Sequence, residues 1–137
     1  MASNINGLEK LRILLVEDDY LIALAAVDFL EEAGAEVIGP VGTIQEALQY
    51  INQSSVNIDA AVLDVNLHGK KSYAVADALA AHAIKFIFAT GYDVSVMESR
   101  YQAFPHCQKP FSGPTLIKTL NEICIERCRW RDRRTVD

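Results

Sequence analysis

Short apolar runs that end abruptly in polar residues constrain the fold of this chain more than any other feature of its sequence. The run at residues 11–16 (LRILLV) is followed at once by three acidic residues, and the run at residues 58–65 (IDAAVLDV) carries Asp64 close to its end. Runs of this kind are typical of strands that are buried on both faces of a parallel sheet. Segments with helical spacing separate them, so the alternation predicts a doubly wound parallel α/β sheet.

The spacing of apolar and polar residues places the individual elements. We expect strands at residues 11–16, 36–40, 58–65 and 85–89, and helices at residues 20–33, 43–50, 73–81 and 114–127. Thr43 and Glu46 form a capping-box pattern at the start of the second helix. The pattern is weaker before Lys109, where residues 93–101 fit a helix and residues 103–108 make a poor strand because Pro105 interrupts them.

The length and charge of the chain limit its function classes. Its 137 residues match one domain, for which we expect a disordered or loosely ordered leader at 1–10, a folded domain at 11–127 and an Arg-rich tail at 128–137. A net charge of −5 argues against direct DNA binding. Three cysteines without a CxxC pair suggest neither a disulfide framework nor a zinc site. No apolar run approaches the roughly 20 residues of a membrane span, so a cytoplasmic location without membrane contact is expected.

Polar side chains gather where the predicted strands end. They are Glu17, Asp18 and Asp19 after the first strand, Asp64 in the third, Thr90 after the fourth and Lys109 after the weak fifth. Ligands of open parallel sheets bind outside the carboxyl ends of the strands. Neighbouring carboxylates repel one another unless a cation lies between them, and Mg²⁺ prefers oxygen ligands. The pattern therefore predicts a divalent metal beside Asp64, where Lys109 and Thr90 could neutralise a phosphoryl group carried as an acyl phosphate.

Each of these residues also has a purely structural interpretation. Asp64 could cap the loop after its strand, and Glu17 and Asp18 could stabilise the positive end of the next helix dipole. Thr90 fits ordinary turn chemistry, and most lysines, Lys109 included, are expected to be solvated surface charges. The functional interpretation is favoured because all of these residues lie at one predicted edge of the sheet.

Four motifs resemble the receiver domains of two-component response regulators. They are ILLVEDD at residues 13–19, LDVNL at 63–67, FAT at 88–90 and KPF at 109–111. The resemblance covers residues 11 to about 127. It implies a flavodoxin-like receiver fold, with five parallel strands in the order 2-1-3-4-5 and five flanking helices. The stretch KFIFATGYD resembles more narrowly an alphaproteobacterial subfamily with a Phe-Ala-Thr-Gly motif.

The resemblance also implies a role for each site residue. Asp64 matches the phosphoacceptor, and Thr90 and Lys109 match the residues that contact the phosphoryl group. Mg²⁺, or Mn²⁺ in its place, is the implied cofactor. Its implied ligands are the carboxylates of Glu17, Asp18 and Asp64 and the backbone carbonyl of Asn66.

Two details of this assignment stay open. Because three acids are consecutive, the acidic pair could be Asp18 and Asp19 rather than Glu17 and Asp18, although the apolar run ends just before Glu17. Typical receivers carry Tyr or Phe three residues before the lysine, whereas this chain has His106, which puts the usual aromatic switch in doubt. Since Gly91 loosens the backbone, we expect the loop at residues 90–101 to change conformation or order on phosphorylation.

The expected function is that of a single receiver domain in a two-component phosphorelay. Asp64 would accept a phosphoryl group from a sensor histidine kinase or a histidine phosphotransfer protein, and an unidentified downstream protein would read that state by contact. The chain would not be an enzyme beyond slow self-phosphorylation from small donors and autodephosphorylation. The sequence leaves open a weak homodimer, a receiver excised from a hybrid kinase, and a phosphorylation-independent adaptor.

Two rival functions share the predicted topology. A phosphatase of the haloacid-dehalogenase kind needs a second Asp two residues after its nucleophile, where this chain has Asn66. A flavin-binding module needs a loop of backbone donors after the first strand, and the three acids there would repel the flavin phosphate. Both are therefore disfavoured.

Overall fold

The structure, a computed structural model, describes residues 8–91 and 94–136, with the side chains of residues 8–91 and 95–124. The strands are β1 (Arg12–Val16), β2 (Glu36–Val41), β3 (Ala60–Asp64), β4 (Asn66–Leu67), β5 (Lys70–Lys71), β6 (Lys85–Thr90) and β7 (His106–Gln108). The α-helices of the described residues are α1 (Tyr20–Glu32), α2 (Ile44–Ser54), α3 (Tyr73–Ala81) and α4 (Gly113–Val136).

Five of the strands form one parallel sheet in the order β2-β1-β3-β6-β7. This is the predicted order 2-1-3-4-5, counted over the five strands of that sheet, so the flavodoxin-like fold class is confirmed. The short strands β4 and β5 pair with each other as an antiparallel hairpin outside the sheet. This hairpin was not predicted, and it begins two residues after Asp64.

The three central strands β1, β3 and β6 are buried on both faces of the sheet, to which their successive side chains point alternately. On one face Leu14, Val16 and Leu63 pack in a core with α2 and α3. On the other face Ile13 and Leu15 belong to the core that includes residues of α1 and α4. The unbroken apolar runs of the sequence thus correspond to strands covered by helices on both sides.

The bounds of the helices agree in part with those predicted from the sequence. The Thr43 hydroxyl accepts a hydrogen bond from the Glu46 N–H at 3.1 Å, so the predicted cap of α2 is confirmed. α3 has the predicted bounds.

The folded part of the chain extends beyond the predicted domain at both ends. α4 continues past Arg127, the predicted end, to Val136. Leu8, in the predicted leader, is fully buried in the core beneath α1, while residues 1–7 lie outside the described part of the chain.

The helix predicted at residues 93–101, and with it the fifth flanking helix, is wrong for the described part of that segment. Two 3₁₀ turns, Val94–Val96 and Ser99–Tyr101, stand there instead. Tyr101 is buried, and its ring stacks on that of Tyr73 at a centroid distance of 4.1 Å. The extended backbone of Glu98, at φ −59° and ψ 140°, separates the two turns and prevents a continuous helix.

Candidate functional site

Three carboxyl groups meet where β1 and β3 end. β1 and β3 are neighbours in register, with Val16 opposite Leu63, so Glu17 and Asp18 follow β1 beside Asp64 at the end of β3. One carboxylate oxygen from each of these three residues lies within 4.8 Å of the others. Glu17 and Asp64 are buried, at 5% and 6% exposure, and Asp18 is partly exposed. The predicted convergence of these three residues is therefore observed in the structure.

Lys109 supplies the positive charge of this cluster. It follows β7, and its Nζ lies 2.6 Å from Glu17 Oε1 and 3.1 Å from Asp64 Oδ2. Its backbone N–H donates to the carbonyl of Thr90 at 2.7 Å, which fixes the loop after β7 to the end of β6. Burial lowers the pKa of Lys109, but the bond to Glu17 and the charge of Asp64 outweigh it and raise the pKa above its ordinary value. Lys109 is thus held as a cation.

The pKa of Asp64 is strongly raised. Its burial, followed by the hydrogen bond and charge of Glu17, raises its pKa to about 7, although Lys109 and the Asn66 N–H act in the opposite direction. A carboxyl group with this pKa is half protonated near neutrality, so cations added to the site favour its charged form. Titratable groups with such displaced pKa values cluster at functional sites.

Of the three consecutive acids, Glu17 and Asp18 belong to the carboxylate cluster, whereas Asp19 caps a helix. Asp18 Oδ2 accepts a hydrogen bond from the His68 N–H at 2.8 Å. Burial raises the pKa of Asp18, but this bond and its other hydrogen bonds outweigh it and lower the pKa overall. Asp19 Oδ1 instead accepts from the N–H groups of Leu21 and Ile22, so Asp19 is the N-cap of α1.

Asn66 and Thr90 complete the predicted set. The Asn66 N–H donates to Asp64 Oδ1 at 3.1 Å, so Asn66 lies directly beside the Asp64 carboxylate. Thr90 ends β6 and is 1% exposed; its strand pairs with β3 so that Ala89 lies opposite Asp64. All the residues that the sequence predicted for this site therefore lie at one edge of the sheet.

The donor set of the cluster fits a hard divalent cation. It offers carboxylate oxygens from three residues in a space small enough for one ion. Mg²⁺ and Mn²⁺ prefer oxygen ligands of this kind, and the partial exposure of Asp18 leaves room for water ligands, which Mg²⁺ retains. Outside this cluster, the described residues contain no comparable group of three potential His, Cys, Asp or Glu ligands.

A family model described as response regulator receiver domain matches residues 13–121, which includes every residue of the cluster. The chain belongs to this family. Its membership agrees with the strand order and with the position of the acidic residues, and the receiver-domain resemblance of the sequence is confirmed. No helix of the described part of this receiver domain is long and apolar enough to span a membrane.

The chain is similar to a regulatory protein and to a receiver protein of known structure. The transcriptional regulatory protein PdtaR of Mycobacterium tuberculosis is 27% identical over 122 residues, covering 86% of this chain and 58% of PdtaR. This chain thus spans little more than half of that relative's length. The solution structure of SdrG from Sphingomonas melonis Fr1 is 45% identical, with a TM-score of 0.72, over 81% of this chain and 93% of SdrG. The BeF3-activated conformation of SdrG, from Pseudomonas melonis Fr1, is 44% identical with a TM-score of 0.72 over 82% and 95%.

Sequence reasoning missed two residues that contact this site in the receiver domain. His68 and Ser72 lie at the tip and base of the β4–β5 hairpin, and both bond to residues of the cluster. The pair His68 and Gly69 between Leu67 and Lys70 was a weak turn signal, because Asn or Asp is more usual before glycine in a two-residue hairpin. Ser72 carried no signal, since a serine before a helix is normally taken as a cap.

Proposed function

We propose that this receiver domain, in the cytoplasm, accepts a phosphoryl group on Asp64 from the phosphohistidine of a sensor histidine kinase or a histidine phosphotransfer protein. The observation that carries the proposal is the contact of Lys109 Nζ with Asp64 Oδ2 at 3.1 Å, inside a cluster of three carboxyl groups. A cation beside a buried carboxylate at the open edge of a parallel sheet is suited to stabilise charge on a transferred phosphoryl group. In this proposal the domain includes Leu8, which lies in its core, and the Arg-rich residues 128–136 continue α4.

The transfer needs little beyond position and charge. A carboxylate oxygen of Asp64 attacks phosphorus, the P–N bond to the donor imidazole breaks, and the released nitrogen keeps the electron pair. Lys109 offers Nζ to the phosphoryl oxygens, and the Thr90 hydroxyl offers a hydrogen bond from the end of β6. Glu17, Asp18, Asp64 and the Asn66 backbone carbonyl would hold Mg²⁺ or Mn²⁺, which would supply positive charge that stabilises the transferred phosphoryl group.

The donor protein is expected to approach over α1. Tyr20, Leu21 and Leu24 of α1 are 73%, 75% and 46% exposed, which is unusual for large apolar side chains. Beside them lies a depression of about 400 Å³ that is lined by α1 residues and by Lys109 and Phe111. This apolar face adjoins the site through Lys109, so a donor helix docked on it can present its phosphohistidine to Asp64.

Output is expected through the segment between β6 and β7. Phosphorylation adds about −1.5 to −2 charges, which attract Lys109 and the Thr90 hydroxyl. The backbone bond from Lys109 to Thr90 links both residues to the ends of β6 and β7. Movement there is passed to the turns at Val94–Val96 and Ser99–Tyr101, where a downstream protein reads it. Equal amide exchange of this segment with and without a phosphoryl mimic would contradict this route.

The proposal is tested by the intact mass of the protein after incubation with acetyl phosphate and Mg²⁺. We expect the wild type to gain about 80 Da, the mass of one phosphoryl group, and an Asp64→Asn variant to gain nothing. If the wild type stays unmodified, the same measurement with phosphorylated histidine kinases as donors decides the matter. Absence of the gain with every donor would favour a phosphorylation-independent adaptor.

The metal set is tested by a matched pair of acidic residues. Asp18→Asn removes a cluster carboxylate, so we expect the Mg²⁺ affinity measured by calorimetry to fall at least tenfold. Asp19→Asn removes the same charge one residue away but keeps a good N-cap for α1, so its Mg²⁺ affinity should stay within about twofold of wild type. Equal losses in the two variants would show that net charge, rather than coordination by Asp18, attracts the ion.

A further inference from the structure

The hairpin formed by β4 and β5 stands directly between Asp64 and α3. Asn66 pairs with Lys71 and Leu67 with Lys70, and the two turn residues His68 and Gly69 have positive φ angles of 50° and 80°. These angles are those of a type I′ turn, the tight connection that suits two-stranded ribbons. Leu67 is 2% exposed and belongs to the core under α2 and α3, so the hairpin is anchored by packing as well.

Ser72 closes the base of this hairpin through two hydrogen bonds. Its hydroxyl donates to the backbone carbonyl of Asp64 at 2.5 Å, and its N–H donates to the carbonyl of Val65 at 2.8 Å. Ser72 is fully buried, at 0% exposure. A buried carbonyl without a partner costs about 1 to 3 kcal/mol, so the hydroxyl satisfies a group that water does not replace easily.

The tip and the first strand of the hairpin are bonded to the acidic cluster. The His68 N–H donates to Asp18 Oδ2 at 2.8 Å, and the Asn66 N–H donates to Asp64 Oδ1 at 3.1 Å. The segment from Asp64 to Ser72 is therefore a closed loop whose base is held by the Ser72 hydroxyl and whose tip is held by Asp18. Loss of the Ser72 hydroxyl leaves the base of the hairpin held by the backbone bond from Ser72 to Val65 and by the packing of Leu67, so Asn66 is less firmly positioned.

We infer that Ser72 is a positioning residue of the phosphoacceptor site: its hydroxyl holds the Asp64 backbone and the hairpin base so that Asn66 stays beside the acidic cluster. The inference rests on the proposed function, because the cluster is taken as the metal and phosphoryl site. We expect Ser72 to contact neither the metal nor the phosphoryl group. It acts through the backbone of Asp64 and of the hairpin, as residues behind metal ligands commonly do.

The test is Mg²⁺ binding by calorimetry, under conditions in which all variants are folded, combined with amide exchange. Ser72→Ala is expected to bind Mg²⁺ about tenfold more weakly than wild type and to exchange the Asn66 and His68 amides faster. Ser72→Thr keeps the hydroxyl and should restore most of the affinity. Ile51→Val removes one buried methylene from the core at a similar cost in stability and should leave Mg²⁺ affinity unchanged.

The outcomes separate this inference from the proposed function. If the wild type and Ser72→Ala bind Mg²⁺ equally well, Ser72 does not position the site, while the phosphoacceptor assignment stands. Equal losses in Ser72→Ala and Ile51→Val would also overturn the inference, because general destabilisation would explain them. A wild type that neither binds Mg²⁺ nor gains a phosphoryl group would overturn the proposed function, and the inference with it.

Discussion

Lys109→Ala is expected to lower the free energy of unfolding by about 3 kcal/mol at pH 8 without metal. Lys109 is the cation between Glu17 Oε1 and Asp64 Oδ2, and the side chains of both partners are less than a tenth exposed. Removal of one partner from a buried ionic group leaves the other charges uncompensated. Proton uptake by Asp64, whose pKa is already raised to about 7 by burial and Glu17, limits the loss. Chemical denaturation of the metal-free protein measures this change in the free energy of unfolding.

A control variant and a measurement with Mg²⁺ show whether the loss comes from the charge of Lys109. Lys118→Ala removes an exposed lysine of α4 and should change stability by less than about 0.5 kcal/mol. Saturating Mg²⁺ should recover much of the stability of Lys109→Ala, since another cation then lies among the carboxylates. A stability loss as small as that of Lys118→Ala would mean that Lys109 does not compensate the buried carboxylates.

Asp64→Asn is expected to stabilise the metal-free protein at pH 8 by about 2 kcal/mol. The folded-state pKa of Asp64, about 7, lies above its ordinary value of 3.8 because burial and Glu17 oppose the charged form. The stability that Asp64 contributes is therefore fully present below about pH 4 and is lost as the pH rises through 7. Asparagine does not ionise, so the variant does not lose stability in this way as the pH rises. The full shift would correspond to roughly 4 kcal/mol, but the site opens to solvent, which screens its charges.

The pH profile separates this charge effect from other effects of the substitution. Below about pH 4 Asp64 is protonated in both the folded and the unfolded wild type and is close in shape to asparagine, so the two unfolding free energies should nearly coincide there. They should diverge as the pH rises from about 4 to above 7. Mg²⁺ should reverse the order at pH 8, because the wild type offers three carboxylates and the variant two. A variant that is less stable than wild type at pH 8 without metal would show that burial and Glu17 do not make the charge of Asp64 unfavourable in the folded protein.

The features that the sequence predicted correctly depend on patterns within single elements. The parallel α/β sheet followed from apolar runs alternating with helical spacing, whereas its strand order was implied by the resemblance to receiver domains. The helix α3 followed from its alanine-rich pattern, with the bounds Tyr73–Ala81. Convergence of Glu17, Asp18, Asp64 and Lys109 followed from the rule that parallel strands end at one edge. Strong periodicity and the fixed polarity of a parallel sheet are enough for these predictions.

The features that the sequence did not predict depend on contacts between distant segments. The turn at Ser99–Tyr101 stands in place of a helix because Tyr101 packs on Tyr73 and bonds to Asp77, which local propensity does not include. Asp18, rather than Asp19, lies in the carboxylate cluster, where it accepts a bond from His68, fifty residues away. Ser72 acts on Asp64 through a bond that forms only once the hairpin has closed. Each of these contacts exists only in the folded chain.

The location of the phosphoryl group decides whether Asp64 is the phosphoacceptor. Protein treated with acetyl phosphate and Mg²⁺, or with a phosphorylated kinase, is reduced with borohydride, which converts an aspartyl phosphate to homoserine, and its peptides are sequenced by mass spectrometry. We expect homoserine at position 64 and nowhere else. Modification of Asp18, Asp19 or another residue, with Asp64 unchanged, would contradict the assignment of Asp64 as the phosphoacceptor.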